Sequence, residues 1–252
     1  MNENRDIRVK FENVKFSYPG KVQNRKVKEK SINTSDIPIK NDVVNAVSFE
    51  IRSGEVVGIL GKNGSGKSTI LKLISEVIFP TEGKLSVFGK KSPMIELGAG
   101  MDPEFTAEEN IELYGVLIGN SLKKMKEAAP EILEWSGLTR YRDYPLRKMS
   151  SGMKARLAFA TATHFKPDLL IVDEVLAVGD ADFQKKSSEK MNKLMTSGST
   201  VVIVSHDIES IRNSCTRVLL IEDGSMIADG EPDFVANLYE AKIEKSKAIQ
   251  FE

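Results

Sequence analysis

Glu55-Val56-Val57-Gly58-Ile59-Leu60-Gly61-Lys62-Asn63-Gly64-Ser65-Gly66-Lys67-Ser68-Thr69 is the stretch on which the reading of this chain turns. Glu55 to Leu60 is short, apolar and rich in β-formers, as a parallel strand buried on both faces must be. Gly61 to Thr69 fits the pattern G-x4-G-K-[ST], and the apolar-periodic run from Thr69 to Phe79 predicts a helix lasting until Pro80. Strand, glycine-rich turn and helix in that order make a phosphate cradle. Glycines let successive backbone N–H groups turn inward, and the helix N-terminus adds positive partial charge. Lys67 is expected to reach the β- and γ-phosphates of a nucleotide and the Ser68 hydroxyl to sit on Mg²⁺. Gly61, Lys62, Asn63, Gly64, Ser65, Gly66 and Thr69 complete the wrap.

Further along, Asp168-Leu169-Leu170-Ile171-Val172-Asp173-Glu174 is an apolar strand ending in two carboxylates. Downstream of a phosphate loop, Asp173 is expected to hold Mg²⁺ through its water shell. Glu174 is expected to orient or deprotonate an attacking water. The spacing allows this strand to be a neighbour of the phosphate-loop strand. Thr200 to Asp207 reads TVVIVSHD and places His206, 32 residues after Glu174, just past another buried strand. Side chains at the carboxyl ends of parallel strands converge on the ligand crevice. His206 is therefore expected to contact a γ-phosphate and sense its loss.

Around these motifs, alternation marks half-buried strands at Ile7 to Phe16 and Val43 to Ile51, and short strands are expected at Lys84 to Phe88 and Pro93 to Leu97. Between the first two lies a polar segment, Gly20 to Asp42, whose stretch from Lys21 to Lys40 has six basic and two acidic residues. It reads as a solvated hairpin extension, with a partner or acidic headgroups as the sharper alternative. From Thr106 to Phe165 the period is helical. After Pro167 strands alternate with helices again, and a last helix runs from about Pro232 to Lys247. This is an α/β fold with a helical block inserted. Its core spans about 1–104 and 166–231, with a helical subdomain at about 105–165, in one domain.

The chain has 252 residues, enough to bury a sizeable core. Its 36 basic and 36 acidic residues balance, which argues against holding nucleic acid on a broad basic face. One cysteine, Cys215, removes any disulfide framework and fits a reducing compartment. No run approaches the roughly 18 apolar residues of a membrane span, and the polar N-terminus MNENRDIRVK has no signal-peptide core. Work at a membrane would pass through a partner. Trp135 reads as packing, Cys215 as a thiol without redox role, and His164 as a surface or helix-capping residue.

Taken together, these motifs resemble the nucleotide-binding domain of ABC transporters over nearly the whole chain. Met149-Ser150-Ser151-Gly152-Met153 stands where that family has the signature LSGGQ, and Ala177-Val178-Gly179-Asp180 stands where it usually has SALD. Ser150 and Gly152 match the first motif and Asp180 the second. The stretches ELGAGMDPEF, SSGM and DEVLAVGDADFQKK are similar to the branch that exports polysaccharides and polyol phosphates, including O-antigen, capsule and teichoic-acid exporters.

The resemblance implies a P-loop NTPase core of RecA-like type with an inserted helical subdomain. It implies ATP and Mg²⁺ as cofactors and ATP hydrolysis as the activity. Tyr18 would stack on adenine, and Ser150, Ser151, Gly152 and Asp180 would meet nucleotide. Glu96 stands nearest to the family's usual glutamine and would be a further Mg²⁺ ligand. The implied partners are a second copy, head to tail around two ATP molecules, and an integral membrane permease, with no nucleic acid. The implied location is the cytoplasmic side of the cell membrane. Some members carry a further C-terminal glycan-binding domain; this sequence stops at Glu252, so glycan selection is expected to fall to the permease. A soluble ABC-type ATPase not coupled to transport is the alternative.

Overall fold

The computed structural model describes residues 6–19, 40–94, 97–173, 180–205 and 207–249. The half-buried strands form a sheet of their own. β1 (Ile7–Pro19) pairs antiparallel with β2 (Lys40–Arg52) on one side and β4 (Glu82–Val87) on the other. The apolar runs build a second sheet of six strands from β3 (Val56–Leu60), β5 (Lys91–Met94), β6 (Leu169–Asp173), β7 (Thr200–Val204), β8 (Arg217–Glu222) and β9 (Ser225–Gly230). Its order is β5-β6-β7-β3-β8-β9, parallel except for β9, which returns antiparallel on β8.

The side-chain period of two divides this sheet between two cores. Val57, Ile59, Leu169, Ile171, Val202, Val204, Leu219 and Ile221 face α1 (Lys67–Ile74) and the three-stranded sheet, meeting Ile70, Leu73, Phe11 and Ile51. The alternate residues, among them Val56, Leu60, Leu170, Val172, Val201 and Ile203, share a core with Phe159 and Phe183. Phe159 belongs to α4 (Ser151–His164) and Phe183 to α5 (Ala181–Thr196). A third core fills the helical block, where Ile111 of α2 (Ala107–Leu117), Met125 and Ile132 of α3 (Leu122–Ser136) and Leu157 of α4 pack with Leu146 and Met149. α6 (Ile208–Ser214) and α7 (Pro232–Ile249) close the far end.

Local signals explain how the block is entered. Thr106 caps α2 and Glu109 answers in a reciprocal capping box. That hydrogen bonding holds the Glu109 carboxyl below the usual carboxylate range. Asn110, fully buried, donates to the carbonyls of Asp102, Phe105 and Thr106 and accepts from the Asp102 N–H, pinning the approach loop.

Two expectations need correction. The helix after the phosphate loop ends at Ile74, not at Pro80. Glu76 takes the left-handed conformation at φ 58°, its N–H bonding the Leu73 carbonyl while that of Val77 bonds Lys72, so the helix is stopped by a Schellman motif. Val77 and Phe79, read as helix-periodic, are 66% and 71% exposed. The strands carrying the phosphate loop and Asp173 are also not neighbours. β7 lies between them, pairing with β3 on one side and β6 on the other. Both strands are buried apolar runs, and such runs carry no information about lateral order.

Candidate functional site

Leu60 ends the central strand and the chain turns at once into the glycine loop. At Gly61 (φ 151°) a Cβ would lie 2.2 Å from the Ile221 carbonyl oxygen and 2.6 Å from Ser65 Oγ. At Gly66 (φ 103°) it would lie 2.6 Å from the Val43 carbonyl oxygen. Neither position has room for a side chain or a backbone conformation that favours one. Gly66 is the N-cap of α1, with no side chain capping it and no acidic residue in the first turn, so that helix end presents backbone donors. The loop is braced from behind, where the Gly224 N–H donates to the Ser65 carbonyl and the Asn45 N–H to the Gly224 carbonyl. Replacing Gly61 by Ala is expected to cost about 2–4 kcal/mol through backbone strain and overpacking. Thermal melting of the variant checks this, an unchanged midpoint contradicting it.

Asn63, Gly64, Gly66, Lys67, Ser68 and Thr69 line a cavity of 180 Å³ together with Val43, Asp173 and Val204. Asp173 pairs in register with Val204, so the carboxylate reaches the phosphate loop across the end of the intervening β7. Lys67 is 6% exposed, and its ammonium donates to the carbonyls of Gly61 (2.7 Å) and Lys62 (2.8 Å). A cationic nitrogen, open helix-end amides, a hydroxyl and a carboxylate thus border one small space. Such a donor set fits a polyphosphate with a hard divalent cation, to which the Ser68 hydroxyl and the Asp173 carboxylate would offer oxygen donors, the latter through a water shell. Among the described residues no cluster of three or more His, Cys, Asp or Glu could hold a metal by itself.

The remaining expected residues sit in several places. Tyr18, 38% exposed, meets Phe16 edge-on at 4.8 Å and pairs with Asn41, two residues before Val43. Ser150 caps α4, accepting from the Met153 N–H at 3.3 Å, with Ser151 and Gly152 opening the helix. A Cβ on Gly152 would meet nothing within 4 Å, and these three residues do not line the phosphate cavity of their own chain. Asp180 caps α5, accepting from the Phe183 N–H at 3.0 Å. Glu174, His206 and Glu96 lie outside the described residues, as does most of the basic segment Gly20 to Asp42. Glu174 directly follows Asp173, and His206 is flanked by Ser205 and by Asp207, the cap of α6.

Trp135 packs as expected, whereas His164, read as a surface or capping residue, is half-buried. Trp135 stacks on Phe159 at 5.8 Å and meets Phe183 edge-on. His164 ends α4 against Phe165, and burial pulls its imidazole below the usual range. Burial pushes the Cys215 thiol up to about 12, so it carries no thiolate near neutral pH. Sequence reasoning missed Val43, which borders the cavity from β2.

A second concavity lies between the core and the helical block. Lys72, Val77, Pro93, Tyr114, Leu117 and Ile118 border a 360 Å³ groove. Pro93, Leu117 and Ile118 continue into a 380 Å³ hollow with Lys90 and Lys91 on its rim. Leu117 is 58% exposed and shares the groove with exposed Val77, an apolar surface with a basic border. No helix among the described residues is long and apolar enough to cross a membrane.

Residues 44–177 match the family described as ABC transporter. The chain is 41% identical over 205 residues to the O-antigen export system ATP-binding protein RfbB of Myxococcus xanthus, covering 81% of this chain and 47% of that protein. It is 36% identical over 250 residues to the teichoic acids export ATP-binding protein TagH of Bacillus anthracis, covering 98% of this chain and 45% of that protein. The chain therefore spans about half the length of these relatives. Among solved structures, a dimeric ATP-binding cassette in a post-hydrolysis state with ADP and Pi superposes with a TM-score of 0.68. The two are 26% identical, over 89% of this chain and 98% of that one.

Proposed function

The chain belongs to the ABC transporter family, and from that premise we propose that it hydrolyses ATP to power an exporter. The cargo is a lipid-linked polysaccharide or polyol-phosphate polymer, and the chain works from the cytoplasmic side of the cell membrane through a permease. The observation that carries the reading is the 180 Å³ cavity joining Lys67, Ser68 and the helix-end amides to Asp173. The export roles named for the relatives support the cargo class and weigh against an ATPase uncoupled from transport.

Each residue has a part. The loop from Gly61 to Thr69 wraps the phosphates and Lys67 neutralises their charge. Ser68, Asp173 through a water shell, and Glu96 would hold Mg²⁺, which would supply charge neutralisation to the phosphates. Glu174 orients the attacking water in line and accepts its proton. His206 serves as the sensor of the γ-phosphate and Tyr18 stacks on adenine. Ser150, Ser151 and Gly152 of one copy receive the phosphate held by the other, aided by Asp180, in a head-to-tail dimer. Closure is driven only by ATP's greater affinity for the closed state.

The groove beside Leu117 is the docking face for the permease, since it offers apolar surface to a partner and lies between the two parts that closure would move. Leu117→Asp is expected to keep ATP affinity and melting temperature within error, because Leu117 is exposed. It is expected to cost the membrane partner about 2 kcal/mol or more of affinity. Release of the variant from washed membranes, compared with wild type, reads the effect; full retention contradicts this docking face.

A further inference from the structure

We propose that the closed end of the α2–α3 hairpin rests on the anionic surface of the bilayer beside the permease. Two exposed apolar side chains enter the headgroup layer and lysines meet the lipid phosphates. The inference rests on the reading of the adjoining groove as the docking face.

Four residues, Ile118 to Ser121, join α2 to α3, so the two helices run as an antiparallel pair. Lys126 of α3 reaches Glu112 of α2 at 3.9 Å, which fixes how they face each other. One turn nearer the connection stand Val116 on α2 and Leu122 on α3, each four residues from a member of that pair and on the same helix face. They are 42% and 49% exposed. Apolar side chains thus sit together at the tip of the hairpin. From Leu113 to Lys126 the chain has three lysines and no acidic residue.

Cations gather at the same end. Lys123 and Lys124, both exposed, follow Leu122 directly, and Lys90, from the β4–β5 connection, packs on the turn. A Cβ on Gly119 would lie 3.8 Å from Lys90 Cγ. The Lys90 ammonium donates to the side-chain oxygen of buried Asn120, whose amide N–H donates to the Gly115 carbonyl at 3.1 Å, so the turn is braced. Among the described residues no carboxylate lies within ion-pair distance of Lys90, Lys123 or Lys124. Burial and then the like charge of Lys124 pull the Lys90 ammonium below its ordinary range, against the pull of Asp168. An anion at the tip would relieve that repulsion.

The shape selects a surface over an inserted chain segment. Val116, Leu122, Lys123 and Lys124 line neither the groove nor the hollow that continues it, and stand on a projecting turn. Exposed apolar side chains interleaved with lysines, all charges of one sign, are the pattern that seats at the headgroup level of an anionic leaflet. Leu117, on the same turn, lines the groove, so the tip adjoins the permease site and gives the chain a second hold on the membrane.

Co-sedimentation of the full chain with vesicles that contain no permease tests this, using phosphatidylcholine alone or with phosphatidylglycerol added. At about 0.1 M salt the chain is expected to bind the anionic vesicles at least about tenfold more tightly than the neutral ones, and at about 1 M salt to lose that preference. Lys123→Gln combined with Lys124→Gln is expected to weaken binding about 25-fold, about fivefold for each lysine. Leu122→Ser is expected to weaken it about tenfold. Both variants should melt as wild type does, since these side chains are exposed. Lys185→Gln combined with Lys193→Gln makes the same charge change at exposed positions of α5 and is expected to leave binding unchanged. Equal binding to both kinds of vesicle or to neither, wild-type binding by the tip variants, or an equal loss in the α5 variant overturns the lipid contact. Displacement by millimolar inorganic phosphate also overturns it, in favour of a free-anion site. None of these results touches the docking groove, whose own test is the release of Leu117→Asp from native membranes.

Discussion

Lys67→Ala is expected to weaken ATP binding by about two to four orders of magnitude, measured by titration calorimetry on the isolated chain. The side chain is buried, and its ammonium, bordering the cavity, already donates to two carbonyls of the loop. A charge-assisted hydrogen bond contributes about 1.5–3 kcal/mol. Two such contacts to phosphate oxygens amount to about 3–6 kcal/mol, and every 1.4 kcal/mol is a factor of ten. The rise in melting temperature that ATP confers should shrink in parallel, because ligand stabilisation follows affinity. Unchanged affinity would remove the phosphate-cradle assignment, and with it the role given to the cavity.

Glu174→Gln is expected to separate binding from turnover. Glutamine keeps the size of the side chain and can still hydrogen bond to water, but it cannot accept a proton. A positioned general base is worth about 10²–10⁴-fold, so hydrolysis should fall by that factor while ATP affinity holds. If hydrolysis is what lets two copies part, the variant with ATP and Mg²⁺ should accumulate as a dimer in light scattering, and wild type should not. Hydrolysis near the wild-type rate would remove Glu174 from the mechanism.

The parts of this protein that were readable in its sequence are those fixed by local chemistry. Val201 to Val204 and Leu219 to Ile221 are buried on both faces, so they stand out as continuous apolar runs. The phosphate loop is readable because its glycines and lysine are required at fixed offsets. Asp173 could be assigned but not placed. Nothing in an apolar strand says which neighbour it takes, and β7 proved to lie between it and the loop. The end of α1 is not legible because Val77 and Phe79 continue a helical period while facing outward, Val77 on the groove. The brace through Asn45 and Gly224 joins residues far apart in sequence. No local pattern encodes such meetings.

The central claim is that this chain powers a membrane exporter, and its most direct test is purification of the chain from native membranes in mild detergent. Mass spectrometry of the complex is expected to find one polytopic membrane protein in equal amount to the chain, with ATP hydrolysis retained by the pair. Recovery of the chain alone, or with ribosomes or DNA, would contradict the account and leave an ABC-family ATPase with no part in transport.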